Sequence, residues 1–250
     1  MSHFKIGVIC NDIDDIPNLL APYDQNDEHF FQDIPYLTKE EYIQNFRNFY
    51  DNCKPLSDEE IWRQALRDYD GQIINNCIYE RYNPNAQWDW YTIGGRWPNS
   101  LKVLKGTKGL SSNFLDMDYM NQPRKETGKY RWVDCAQIKD ILWKQMNTPT
   151  PEERTKYSQF WNEYVEGNNP NNNSHKWEDY TFYKPDYLKK TYQNKTNFIK
   201  QASLFKIHAL IDGDTGEWID NMDEGNKLID SYITNPNYQN KILAIVDCHY

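Results

Sequence analysis

The sequence predicts an α+β protein: one antiparallel or mixed sheet covered by helices, with a ferredoxin-like core and a helical insertion at residues 150–202. Three observations carry this. Short β-branched apolar runs, HFKIGVIC (3–10) and KILAIVDCH (241–249), read as strands. LFKIHALI (204–211), the turn DGDTGE and the return from Glu217 to Ile219 read as a hairpin. Between them, helix-start signals recur, so helices interrupt one sheet instead of alternating regularly with strands.

Each element follows from local chemistry. After the first strand, NDIDDIPNLLAPYDQND reads as a turn, a short helix and an acidic loop. Thr38 is an N-cap whose capping box Glu41 completes, Leu37 staples to Tyr42, and Tyr42, Phe46 and Phe49 recur at helical spacing. The device repeats with Ser57 and Glu60, stapled by Leu56 and Ile61, in a helix running to about Tyr69 and stopping near Gly71. A third box is Thr150 with Glu153. Pro151 takes the first helical position, where its missing N–H costs nothing. That helix carries Tyr157, Phe160, Trp161 and Tyr164 and ends at Gly167. The Asn-rich stretch 168–175 reads as a mobile surface loop. Residues 185–202 read as one further helical pattern with Leu188, Tyr192 and Ile199 on one face. Met222–Tyr232 is helical, and the near-continuous apolar run 241–249 is a central strand. No internal repeat is visible, and the chain reads as a single domain, 1–250.

Composition narrows the function classes. The 250 residues carry 28 Lys and Arg against 37 Asp and Glu, a net charge of −9, with 15% aromatic residues and a mean hydropathy of −0.95. The aromatic content supplies core-forming area and argues against disorder. No stretch of eighteen apolar residues exists, so no membrane span or membrane partner is expected, and the start reads as a strand, not a signal peptide. A pI of about 5.1 lacks the basic footprint of a duplex nucleic-acid binder. Cys10, Cys53, Cys77, Cys135 and Cys248 form no CxxC, and no histidine pair has zinc-site spacing. Reduced thiols in a cytoplasm, with no metal and no cofactor, are the expectation. No P-loop, dinucleotide or nucleophile-elbow motif occurs. DGDTGE begins like a calcium loop but has Asp223 where the bidentate Glu belongs, so it reads as a polar hairpin turn.

Two constellations could carry chemistry. The first runs from Asn83 to Pro98, with Trp88, Asp89, Trp90 and Tyr91 followed by Gly94, Gly95, Arg96 and Trp97. As an extended segment it places Trp88 and Trp90 on one face and Asp89 and Tyr91 on the other. The glycines allow an anion nest, with Arg96 as partner for a carboxylate or phosphate and the indoles as stacking platforms. Equally, these residues make a core corner held by an Asp89–Arg96 pair across a glycine bulge. The second is Asp247-Cys248-His249, where an aspartate orients an imidazole as general base. Against that stands a buried cysteine with a frayed strand end.

The segments LLAPYDQND (19–27), NPNAQWDWYTIGGRWPN (83–99), DCAQIKDILW (134–143) and VDCHY (246–250) resemble a family of uncharacterised proteins of tailed bacteriophages and mobile elements. That family has an NPxxxWDWYxxGGRW-like core and a VDCH-like end. The resemblance implies a viral or mobile-element origin and work in the host cytoplasm, and it points to residues 88–91, 94–97 and 247–249. It implies no activity. The expected function is an accessory protein that binds a host or defence-system macromolecule, a basic nucleic-acid-binding protein being the electrostatic complement. The alternatives are a small enzyme joining Asp247 and His249 with Asp89, Tyr91 and Arg96 on a phosphorylated or carboxylated small molecule, and a virion or assembly component.

Overall fold

A computed structural model describes residues 2–49, 56–110, 128–167, 183–220 and 227–250; the Asn-rich stretch 168–175 lies outside them. The elements are β1 (His3–Cys10), α1 (Ile16–Leu20), β2 (Gln32–Thr38), α2 (Lys39–Phe49), α3 (Asp58–Asp68), β3 (Ile73–Ile74), β4 (Cys77–Tyr82), β5 (Trp90–Ile93), β6 (Leu101–Leu104), β7 (Tyr130–Val133) and β8 (Cys135–Gln137). They continue with α4 (Trp143–Met146), α5 (Pro151–Phe160), α6 (Pro185–Tyr192), α7 (Lys195–Ala202), β9 (Ala209–Asp212), β10 (Glu217–Asp220), α8 (Lys227–Thr234) and β11 (Ile242–His249). The fold is α+β, with mixed and antiparallel sheets. Among the described residues no helix is long and apolar enough to cross a membrane.

Where the sequence suggests one domain, the chain forms two compact units, Pro17–Trp90 with His249–Tyr250 (unit 1) and Ser2–Ile16 with Tyr91–Cys248 (unit 2). Each buries its own apolar cluster. In unit 1, β4 pairs antiparallel with β2 and with β3. Thr38 ends β2 and caps α2: its N–H donates to Glu41 Oε2 at 2.9 Å and its Oγ1 accepts from Glu41 N at 3.2 Å. Ser57 and Glu60 form the same reciprocal box at the start of α3. Ile43, Ile61, Trp62, Ala65 and Ile78 form the buried cluster, with Leu37 and Ile73 against it, so α2 and α3 cover one face of this sheet.

Unit 2 is built on the order β10–β9–β1–β11–β5, with β8 also on β11. β9 pairs parallel with β1, and β10 returns antiparallel. Cys10 Sγ lies against Ile242 O, and His3 against Asp247, so β1 and β11 run in opposite senses. The outer edge of β11 is divided. Residues 242–244 pair with β8, and at Ile245 the partner changes: its N–H donates to Asp134 O, while its carbonyl accepts from Gly94 N–H, both at 2.8 Å. Burial along β11 is nearly continuous, as expected of a central strand. A ferredoxin-like core holds its parallel strands apart as a split βαβ unit. Here Ile6–Ile9 pair directly with Ala209–Asp212 in parallel, so the strand order departs from that expectation.

The helices of residues 150–202 bury their own cluster, Phe160, Trp161, Val165, Leu188 and Phe198. The third capping box forms at Thr150, and α5 passes into a π-helical turn over Trp161–Val165. The single helix expected over 185–202 is two. Gln193 takes φ +64°, and Asn194 then caps α7 by accepting from Asn197 N–H. A left-handed residue followed by a new N-cap ends one helix and starts another.

Candidate functional site

The 83–99 block divides between the units. In unit 1, Asn83 is buried, and its side-chain amide donates to Pro22 O and Asp24 O, both at 2.9 Å, while Asn85 N–H donates to its Oδ1. Gln25 N–H donates to Trp88 O at 2.8 Å, Trp88 Nε1–H donates to Leu20 O at 3.3 Å, and Asn26 Nδ2 donates to Asp89 O at 3.1 Å. The 19–27 segment and residues 83–89 are thus laced together. Trp88 is 5% exposed and serves as a core anchor, whereas Trp90, which begins β5, is 46% exposed. The shared face expected of these two indoles fails because the strand starts only at Trp90.

Asp89 holds His249 twice: its N–H donates to His249 O at 2.9 Å, and its Oδ1 lies 2.6 Å from His249 Nδ1. The Trp90 ring stands edge-on to the imidazole at 6.5 Å. In the tautomer whose Nδ1–H donates to Asp89, the lone pair sits on Nε2, the arrangement of a general base.

In unit 2, Gly94 and Gly95 both take positive φ, +77° and +49°. The N–H groups of the glycines themselves donate to backbone carbonyls, Gly94 to Ile245 O and Gly95 to Ile93 O, so these two N–H groups do not make the anion nest the sequence allows; the N–H that follows them meets one of the protein's own carboxylates. Arg96 N–H donates to Asp247 Oδ2 at 2.9 Å, Asn99 N–H donates to Asp134 Oδ1, and Trp97 N–H closes the turn on Gly94 O at 2.9 Å. Both carboxylates are buried. The close approach needs glycine: a Cβ on Gly94 would lie 2.8 Å from the Asp134 carboxyl carbon, and one on Gly95 would overlap Asp247. The other oxygen of Asp247, Oδ1, lies 3.0 Å from His3 Nδ1. Tyr91, Arg96 and Trp97 are half-buried.

Two carboxylate–imidazole pairs result, one per unit. Asp247 and His249, expected to work together, each take a different partner. His3 was not legible as a site residue. Its only signal is an antiparallel register between β1 and β11, which no local pattern encodes. Cys248 is fully buried, and burial with the neighbouring Asp247 charge pushes its thiol well above the ordinary range. Burial likewise raises Cys10 and Cys135 to about 12. Such thiols are not nucleophiles at neutral pH.

The hairpin-turn reading of DGDTGE accords with its contacts. Asp212 Oδ2 accepts from Tyr232 and Tyr238 hydroxyls at 3.0 Å each, Oδ1 accepts from Asp214 N–H, and Asp214 pairs with Lys241. Among the described residues no group of three His, Cys, Asp or Glu side chains is placed to hold a metal ion.

Each unit therefore joins its own part of the 83–99 block to other segments bearing the resemblance: in unit 1 to 19–27 and His249, in unit 2 to Asp134 and residues 245–247. Comparison of the whole chain with protein families, with curated proteins and with solved structures finds no match.

Proposed function

We propose that this protein is a phage- or mobile-element-encoded accessory protein that acts in the host cytoplasm by binding a host or defence-system protein. The observation that carries this reading is a set of exposed side chains, Asp33, Pro35, Ile74 and Arg81, on the unit 1 sheet. Leu37, Ile73 and Ile78 face α2 and α3. On the opposite face, register aligns Asp33 with Arg81, Pro35 with Tyr79 and Ile74 with Cys77. Ile74 is 52% exposed, and Tyr36, at the β2 irregularity, is 50% exposed. Tyr82 and Trp90 add exposed rings in the same unit. Aromatic and aliphatic side chains rimmed by charges are the composition of a protein-recognition patch. Much of the motif chemistry, by contrast, is spent on internal carboxylates, which supports a scaffold role for Gly94, Gly95 and Asp247.

The test is affinity capture from host lysate with the wild type and an Ile74→Ser/Tyr36→Ser variant. A specific partner retained by the wild type and lost by a variant with unchanged circular dichroism supports the reading. Equal retention by both, or no partner in either, overturns it.

A second reading rests on the Asp89–His249 pair, which favours acid–base chemistry on a small molecule. Asp89→Asn then abolishes turnover without loss of fold. A candidate reaction left unchanged by that substitution removes this pair from its mechanism.

A further inference from the structure

Unit 2 contains a cavity of about 210 Å³ into which three segments each bring a lysine: Lys5 of β1, Lys102 of β6 and Lys206 just ahead of β9. In a chain of net charge −9, this convergence calls for an explanation. Two of the ammonium groups lie over aromatic faces. Lys5 Nζ is 4.6 Å from the Phe205 ring centroid, and Lys102 Nζ is 4.6 Å from Tyr130 and 5.3 Å from Trp132. A ring face steadies a cation without neutralising it. Among the described lining residues the one carboxylate is Glu153, held in the capping box of α5: it accepts from Thr150 N–H at 2.8 Å, while its own N–H donates to Thr150 Oγ1. Among the described residues no carboxylate pairs with Lys102 or Lys206. The backbone of Lys102 is fixed on both sides, its N–H on Met146 Sδ and its carbonyl on Leu142 N–H.

We propose that this cavity binds a small phosphoryl-bearing molecule. Lysine ammonium groups are compact point charges, and three approaching from separate strands and loops suit a tetrahedral polyanion. A planar carboxylate is better matched by an arginine fork, and the lining has no arginine. Thr148 and Ser203 also line the cavity, with their hydroxyls donating to Lys144 O and Ile199 O. The volume is below the ~300 Å³ at which drug-sized pockets begin, which selects pyrophosphate or a phosphosugar over a dinucleotide. Partial desolvation lowers the Lys206 ammonium from its ordinary value, and a bound anion reverses that effect. The site contains none of residues 83–99, so it stands independently of the partner-binding reading.

Titration calorimetry with inorganic pyrophosphate tests it, using the whole protein and the variants Lys102→Gln, Lys206→Gln and, as control, the exposed Lys189→Gln. Pyrophosphate is expected to bind, with each cavity substitution weakening it about tenfold and the control changing it less than about twofold. Malonate, a dianion with planar carboxylate ends, is expected to bind at least about tenfold more weakly. Lys206 is exposed, so its variant reads binding even if Lys102→Gln disturbs folding. No heat at about 10 mM pyrophosphate, equal weakening by the control, or equal affinity for malonate overturns the proposal.

Discussion

Replacing Gly95 with alanine isolates the close approach between the glycine turn and Asp247. Two costs are expected. Gly95 has φ +49°, and an L-residue held there loses about 1–2 kcal/mol. The new Cβ would also overlap Asp247 Cβ and lie 2.5 Å from its Oδ2 and 2.7 Å from Thr92 Cγ2. Asp247 is 1% exposed and has no solvent to retreat into. Moving it surrenders the hydrogen bond from Arg96 N–H and the contact with His3, and bonds to a charged group are worth roughly 1.5–3 kcal/mol each. The total is about 4–8 kcal/mol, comparable to the whole stability of many domains. Gly106→Ala supplies the control within unit 2: φ is +87°, but nothing lies within 4 Å of the added atom. It should cost only the conformational ~1–2 kcal/mol. Urea unfolding followed by tryptophan fluorescence and far-ultraviolet circular dichroism reads both. Coincident midpoints for Gly95→Ala and Gly106→Ala would refute the reasoning, since the steric and electrostatic cost would then be absent.

Trp88→Ala should cost about 3–5 kcal/mol by removing a buried indole, and Trp90→Ala less than about 1 kcal/mol; equal thermal shifts would contradict their assignment as core anchor and surface ring. Iodoacetamide on the native protein, read by peptide mass spectrometry, should modify the half-buried Cys77 well before Cys10, Cys135 and Cys248; labelling of Cys248 at the rate of a free thiol would place it outside the core. Burial and Asp212 raise the Tyr232 hydroxyl above its ordinary value of 10. The unfolded state therefore releases that proton first, so this contribution is complete below pH 10 and is lost as pH rises above it. Tyr232→Phe should lower stability by about 1 kcal/mol at neutral pH and flatten the alkaline decline; an unchanged slope above pH 10 would dissociate Tyr232 from it.

Local chemistry was legible wherever it is self-contained. The Thr38, Ser57 and Thr150 capping boxes need only a few consecutive residues, and all three form. The turn at Gly94 and Gly95 and the burial of β11 follow likewise from residue type and run length. What escaped were facts about partners. The Gln193 break depends on one residue accepting a left-handed conformation, against a helical periodicity that continues through it. The parallel β1–β9 pairing joins residues about 200 positions apart, and hydrophobic pattern specifies a strand without naming its neighbour. The same limit hid His3 and led to the expectation that Asp247 and His249 cooperate.

β1 has a bearing on how the chain is made. It is synthesised about 200 residues ahead of its neighbours, residues 209–212 on one side and β11 on the other. Until those are translated, an apolar strand waits with both edges unpaired. Closing so long a loop delays native pairing, so the core of unit 2 is completed only after β11 has left the ribosome. A nascent chain halted before residue 242 should remain soluble only with a chaperone bound, which fractionation of stalled chains would reveal.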